Sequence, residues 1–161
     1  MDVTKIGVIG AGQMGNGIAH VMALAGYHVC LNDISEDVLS QALTRIDKNM
    51  MRQVKSGKIA QADKAAALAR ITTTLSIADI GQSDLVIEAA TEDEPTKQVI
   101  FDALVPHIQD HTILTSNTSS ISITRLASRT GRPEKFMGFH FMNPVPVMQL
   151  VELIRGIATD E

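Results

Sequence analysis

KIGVIGAGQMGNGIAHVMALAGYHVCLND, residues 5–33, is the stretch that decides the fold. Ile6 to Ile9 (IGVI) is a short, continuously apolar run, the pattern of a strand buried on both faces. GAGQMG follows at once, and then an apolar-periodic stretch with Ile18, Val21, Met22 and Ala25 predicts a helix closed by Gly26. Val29 to Leu31 reads as a second strand, ending at Asn32 and Asp33. A lone GxGxxG is a weak signal, but strand, glycine turn, helix, strand and a terminal acid together form a dinucleotide-binding unit. Each motif residue has a physical task. Gly10 permits the tight turn, Gly12 lets backbone amides approach a pyrophosphate, and Gly15 lets the helix pack close to its strand. The helix amino terminus then faces the phosphate charge. Asp33 would accept hydrogen bonds from ribose hydroxyls and repel a 2′-phosphate, so the cofactor expected is NAD rather than NADP.

Outward from this unit, Ser35 caps a long helix whose apolar face is Leu39, Leu43, Ile46, Met50 and Val54. Gly57 ends it, and a second helix is predicted from about Ala60 to Leu68. The expectation is a helical hairpin inserted after the second strand, longer than an ordinary crossover. Arg45, Lys48, Arg52, Lys55 and Lys58 make it locally basic, either as a solvated face or as a docking surface for a ligand's phosphates. Ile71–Thr74, Leu85–Glu88 and Ile113–Thr115 read as further strands. Pro95 starts a helix running to about Val105, with Val99, Ile100, Ala103 and Leu104 expected to face inward. The fold class is therefore α/β, a Rossmann-type doubly wound and mostly parallel sheet. Loops at the carboxyl ends of such strands bind ligands, which singles out Ala89–Glu94 and the polar run Ser116, Asn117, Thr118, Ser119 and Ser120. That run reads equally as helix caps or as a polar wall for a substrate.

Bulk properties set limits on this scheme. A chain of 161 residues, 45% hydrophobic, predicts one domain with a substantial core. A net charge of −4 argues against a nucleic-acid or anionic-membrane partner. No apolar run reaches the length of a membrane span. Strand signal begins at Lys5, leaving no room for a targeting peptide, and the single cysteine, Cys30, suits a buried thiol in a reducing compartment. A cytoplasmic location is expected. His107 and His111 have metal-like spacing, but no third ligand accompanies them and no metal site is expected.

The chemistry concentrates in Phe136–Glu152, FMGFHFMNPVPVMQLVE, which holds one histidine and one acid in an almost uncharged run. Asn143, Pro144 and Pro146 favour a turn. A reversal centred near Pro146 makes His140 and Glu152 partners, each six residues away. A carboxylate orients a histidine, fixes its tautomer and makes it a better base. The plainer alternative is a buried strand with a satisfied histidine and an unrelated glutamate.

With GAGQMG, SNTSS and HFMNPVPVMQLVE in place, the whole chain resembles the 3-hydroxyacyl-CoA dehydrogenase family, nearest to its bacterial 3-hydroxybutyryl-CoA members. The resemblance implies NAD-dependent, reversible oxidation of an L-3-hydroxyacyl-CoA to the 3-ketoacyl-CoA. It implies that His140 takes the hydroxyl proton, that Glu152 holds His140, and that Ser119 and Asn143 line substrate and nicotinamide. Cofactor contacts are expected at Gly10, Gly12, Gln13, Met14, Gly15, Asp33, Ala90, Glu92, Lys97, Asn117, Ser119 and Asn143. Family members continue as a helical domain that closes the cleft and forms a homodimer, and that domain is absent from this chain. An isolated module that binds NAD without turnover is the alternative function.

Overall fold

The computed structural model describes residues 2–161. Its first unit is β1 (Lys5–Ile9), α1 (Gln13–Leu24) and β2 (His28–Asn32), followed by the hairpin α2 (Glu36–Lys55) and α3 (Gln61–Ala69) and by β3 (Ile71–Thr74). After α4 (Ile77–Ile80), the chain alternates β4 (Leu85–Glu88), α5 (Glu94–Leu104), β5 (Ile113–Ser116), α6 (Ile123–Ser128) and β6 (Phe136–Phe141). The last strand is β7 (Val151–Arg155). The seven strands form one sheet in the order β3-β2-β1-β4-β5-β6-β7. The first six run parallel, and β7 pairs antiparallel with β6. Strand order reverses between β1 and β4, which opens a crevice at their carboxyl ends. This is the doubly wound, Rossmann-type sheet with its hairpin insertion.

Burial on both faces explains the unbroken apolar strands. Ile6 and Val8 point into a core with Ile18 of α1, Leu39, Ile46 and Met50 of α2, and Ala67 of α3. Ile9, Val86 and Leu114 pack on the other face with Phe101, Leu104, Leu126 and Phe136. Ser35 Oγ accepts from the Val38 amide at 3.4 Å to start α2. Asp93 Oδ2 accepts from the Thr96 amide at 3.0 Å to start α5, with Pro95 in the first turn. Among the described residues, no helix is long and apolar enough to cross a membrane.

Helix α5 sits differently from its expected register. Lys97, Phe101 and Leu104 are its buried residues, whereas Val99 and Ala103 are exposed. The anchor is Phe101, whose ring meets Phe136 edge-on at 5.1 Å, and this turns Val99 outward. Ala25, placed on the apolar face of α1, is also exposed. Cys30 is half-buried rather than buried, and its surroundings push the thiol pKa up.

His20 is fully buried on α1. Its Nε2–H donates to Gln53 Oε1 at 2.8 Å, while Nδ1 is buried with no partner. Burial therefore holds its pKa below the ordinary histidine value, partly offset by the Gln53 bond. The unfolded chain takes up this proton more readily than the folded one. Stability is then full above about pH 6.5 and falls as pH drops from there through the lower folded-state pKa. Thermal melts across pH 7.5 to 5 should show a declining Tm that is flatter in His20→Gln, and equal slopes in the two proteins would remove His20 as the cause.

Candidate active site

The glycine turn lies at the carboxyl end of β1. Gly10 has φ +95, and a Cβ there would come within 2.5 Å of Ala90 Cα, so both conformation and space require glycine. A Cβ on Gly15 would sit 1.6 Å from the Gly10 carbonyl oxygen, as expected of helix–strand close packing. Gly12 differs from both: its φ is −67 and nothing in the protein lies within 4 Å of an added Cβ. The fold itself does not need glycine at position 12. A ligand approaching the amides at the start of α1 does, so the cradle fits a dinucleotide pyrophosphate. Asp33 accepts from the Ala11 amide at 2.9 Å and the Ser35 amide at 3.2 Å. It braces the turn as well as facing the crevice, and its carboxylate oxygens keep further acceptor capacity.

Beside Asp33 lies a cavity of about 400 Å³ lined by Ile34, Leu75, Ile77, Val99, Ile100 and Ala103 among others. An apolar slot next to the acid at the end of β2 suits a flat base, and Val99 and Ala103 stay uncovered along it. Sequence reading missed Ile34 and Leu75, although an isoleucine directly after the motif acid was a usable signal. The neighbouring cleft of about 270 Å³ gathers Gly12, Gln13, Met14, Ala90, Glu92, Lys97 and Asn117. Its floor is a buried ion pair between Lys97 Nζ and Glu88. Glu88 also accepts from the Ala90 amide at 2.8 Å and from Ser116 Oγ at 2.9 Å. Lys97, expected at the cofactor, is 1% exposed and is held by Glu88 at the base of the cleft. Glu88 had been read only as the last residue of its strand.

The Ser116–Ser120 run turns out to be a set of tethers. Asn117 Oδ1 accepts from the Phe141 amide at 2.8 Å, fixing the end of β6 beside His140. Glu92 Oε1 accepts from Thr118 Oγ1, from the Ser119 amide at 3.1 Å and from Ser120 Oγ at 3.2 Å. The helix cap is Ser122 instead, whose Oγ accepts from the Arg125 amide at 3.3 Å. Ser119 is left exposed at the crevice mouth.

On the last two strands, His140 and Glu152 stand opposite each other in the antiparallel register. The Nδ1–H of His140 donates to Glu152 Oε2 at 2.9 Å. Nε2 is thereby left as the acceptor nitrogen, and the His140 side chain is 18% exposed. The reversal between the strands includes Pro144–Met148, where the amides of Val147 and Met148 donate to the Pro144 carbonyl at 3.0 Å each. Val145 packs on α1, where a Cβ on Gly17 would come within 2.8 Å of it. That contact brings Asn143 Oδ1 to 3.2 Å from Gln13 Nε2 of the glycine turn. Away from the crevice, Arg45, Lys48 and Arg52 line a shallow groove along α2 with Ser40, Thr44 and Asn49. His111 pairs with Asp84 at 3.0 Å, and the Thr4 and Lys5 amides hold that carboxyl well below its usual range.

The family model described as "3-hydroxyacyl-CoA dehydrogenase, NAD binding domain" matches residues 5–161. A 3-hydroxybutyryl-CoA dehydrogenase of Bradyrhizobium diazoefficiens is 55% identical over 159 residues, covering 99% of this chain and 54% of that protein. The crystal structure of an (S)-3-hydroxybutyryl-CoA dehydrogenase from Ralstonia eutropha superposes with a TM-score of 0.96 at 45% identity, covering 99% of this chain and 56% of the other. A fatty acid oxidation complex subunit alpha from Pseudomonas savastanoi is 42% identical over 99% of this chain and 22% of its own length. The chain spans about half the length of the two dehydrogenases.

Proposed function

Since the chain belongs to the family of 3-hydroxyacyl-CoA dehydrogenase NAD-binding domains, we propose that it is the cofactor-binding half of an NAD-dependent dehydrogenase. The proposed reaction is reversible oxidation of an L-3-hydroxyacyl-CoA, short-chain as in 3-hydroxybutyryl-CoA, to the 3-ketoacyl-CoA. One observation carries the proposal: the histidine hairpin and the glycine turn meet, with Asn143 on Gln13. A proton acceptor and a dinucleotide cradle thus share one crevice.

His140 takes the hydroxyl proton at Nε2, because Nδ1–H is committed to Glu152. The Glu152 carboxylate keeps the ring oriented and stabilises the imidazolium that forms. Ser119 and Asn143 stabilise charge developing on the substrate oxygen. When bound, NAD supplies the hydride acceptor, and the chain's task is to hold and orient it. Gly10, Gly12, Gln13, Met14 and Gly15 form the phosphate cradle, Asp33 holds the ribose, and Ala90, Glu92, Lys97 and Asn117 line the inner cleft. The Arg45, Lys48 and Arg52 face of α2 is the docking surface for the phosphates of the CoA moiety.

The relatives' additional length supports a second half beyond the matched region, proposed here to be helical, to cover the substrate and to form a homodimer. Val147, Met148, Leu150, Leu153 and Ile157 are large apolar side chains exposed around β7, a surface suited to such a cover. A cytoplasmic location accords with this metabolic role. Binding of NAD without turnover is the competing reading, and acetoacetyl-CoA reduction measured alongside an NADH titration separates the two. For cofactor choice, NADH should bind more tightly than NADPH by about 1–3 kcal/mol, through repulsion between Asp33 and a 2′-phosphate. Equal affinities in direct titrations would remove Asp33 from the ribose site.

A further inference from the structure

Glu92 is a surface-exposed acid in the loop after β4, yet one of its oxygens is the meeting point of a different loop. Oε1 accepts from three donors on consecutive residues, namely Thr118 Oγ1, the Ser119 amide and Ser120 Oγ. Thr118 Oγ1 in turn accepts from the Ser120 amide at 3.3 Å and the Ile121 amide at 3.0 Å. These bonds form one network that folds residues 118–121 into a tight turn around the carboxylate. The donors, with Lys97 nearby, hold the Glu92 carboxyl below its ordinary pKa against the opposing effect of burial. The loop has a second tether on its inner side, where Asn117 receives the Phe141 amide one residue beyond His140. The crevice wall that presents Ser119 is therefore pinned at one end to the histidine strand and at the other to Glu92.

We propose that Glu92 is a positioning residue, which sets the place of Ser119, on the loop tethered to the His140 strand, through its hydrogen bonds to the 118–120 backbone and hydroxyls. This contribution runs through the loop and is separate from the place Glu92 has in the lining of the cofactor cleft. The inference rests on the dehydrogenase reading for Ser119's role, but the tether itself stands on the geometry alone. An acceptor oxygen is what three donors need, and a neutral amide oxygen supplies one in the same position. A methyl group supplies none and leaves Thr118 Oγ1 and the Ser119 amide without their partner.

The test compares this chain with its Glu92→Gln and Glu92→Ala variants, with thermal melts confirming that each is folded. Amide hydrogen exchange at Ser119, Ser120 and Ile121 should quicken at least tenfold in Glu92→Ala and stay within about threefold of the parent in Glu92→Gln. In the complete enzyme, kcat on acetoacetyl-CoA at saturating NADH should fall at least tenfold in Glu92→Ala and return in Glu92→Gln. Unchanged exchange in Glu92→Ala would overturn the proposal. So would an equal fall in kcat at saturating NADH in both variants, because that result assigns the effect to the negative charge rather than to the acceptor oxygen. A parent chain that fails to bind NADH yet shows the exchange pattern would retain the tether and refute the dehydrogenase reading instead.

Discussion

Replacing His140 by alanine is expected to lower turnover on acetoacetyl-CoA by about 10²- to 10⁴-fold in the complete enzyme, with NADH affinity nearly unchanged. The size follows from losing the group proposed to move the hydroxyl proton, while the cofactor cradle on the other side of the crevice stays intact. The hairpin that carries His140 meets the cradle helix through Val145 and through the Asn143–Gln13 contact, not through the imidazole, so the substitution leaves Gly10–Gly15 undisturbed. Glu152→Gln should be milder, because an amide oxygen still accepts from Nδ1–H but no longer stabilises an imidazolium. Steady-state kinetics with both variants check this, and normal turnover in His140→Ala would end its assignment as the base.

A second large effect is expected at Gly12, and it separates ligand demand from folding demand. Gly12→Val should stay folded with only a modest fall in Tm from the poorer helix cap, because an added Cβ meets nothing of the protein within 4 Å. The same side chain occupies the approach to the first amides of α1. Losing even two charge-assisted hydrogen bonds to phosphate, at about 1.5–3 kcal/mol each, weakens NADH binding by at least about 10²-fold. Gly15→Ala should fail in the opposite way. Its Cβ would lie 1.6 Å from the Gly10 oxygen, forcing turn and helix apart at a cost of about 3 kcal/mol or more. Paired melts and fluorescence titrations distinguish the two. A Gly12→Val protein that binds NADH normally would mean that the cradle is not where the pyrophosphate sits.

These predictions draw on features of unequal visibility in the sequence. The βαβ unit was legible because each residue type there answers a local demand: apolar runs for strands buried on both faces, glycine at the turn, an acid at the second strand's end. The His140–Glu152 pairing was legible because the prolines between them force a reversal and the register follows by counting. Glu88 was not legible. As the last residue of an apolar strand it looked terminal, and only the tertiary approach of Lys97 and Ser116 makes it the floor of the cleft. The role of the Ser116–Ser120 run was hidden for the same reason, since its partners Glu92 and Phe141 lie more than twenty residues away. Val99 and Ala103 were assigned inward by periodicity, but the Phe101–Phe136 contact sets the rotation of α5 and leaves both at the apolar slot. The short helices α4 and α6 span four and six residues, too few for a periodic signal.

As proposed, these residues form a cofactor-binding half that carries the catalytic base but only part of the substrate site. Closing a site and fixing the reacting atoms can account for about 7–11 kcal/mol of a barrier, so losing part of that removes measurable turnover. The most direct test is a fluorescence titration of residues 1–161 with NADH, followed by addition of acetoacetyl-CoA to the saturated sample. Saturable NADH binding is expected with little or no NADH oxidation, and turnover should appear when the relatives' second half is supplied. A folded chain that shows no saturable binding would contradict this proposal, and so would near-normal turnover by this chain alone.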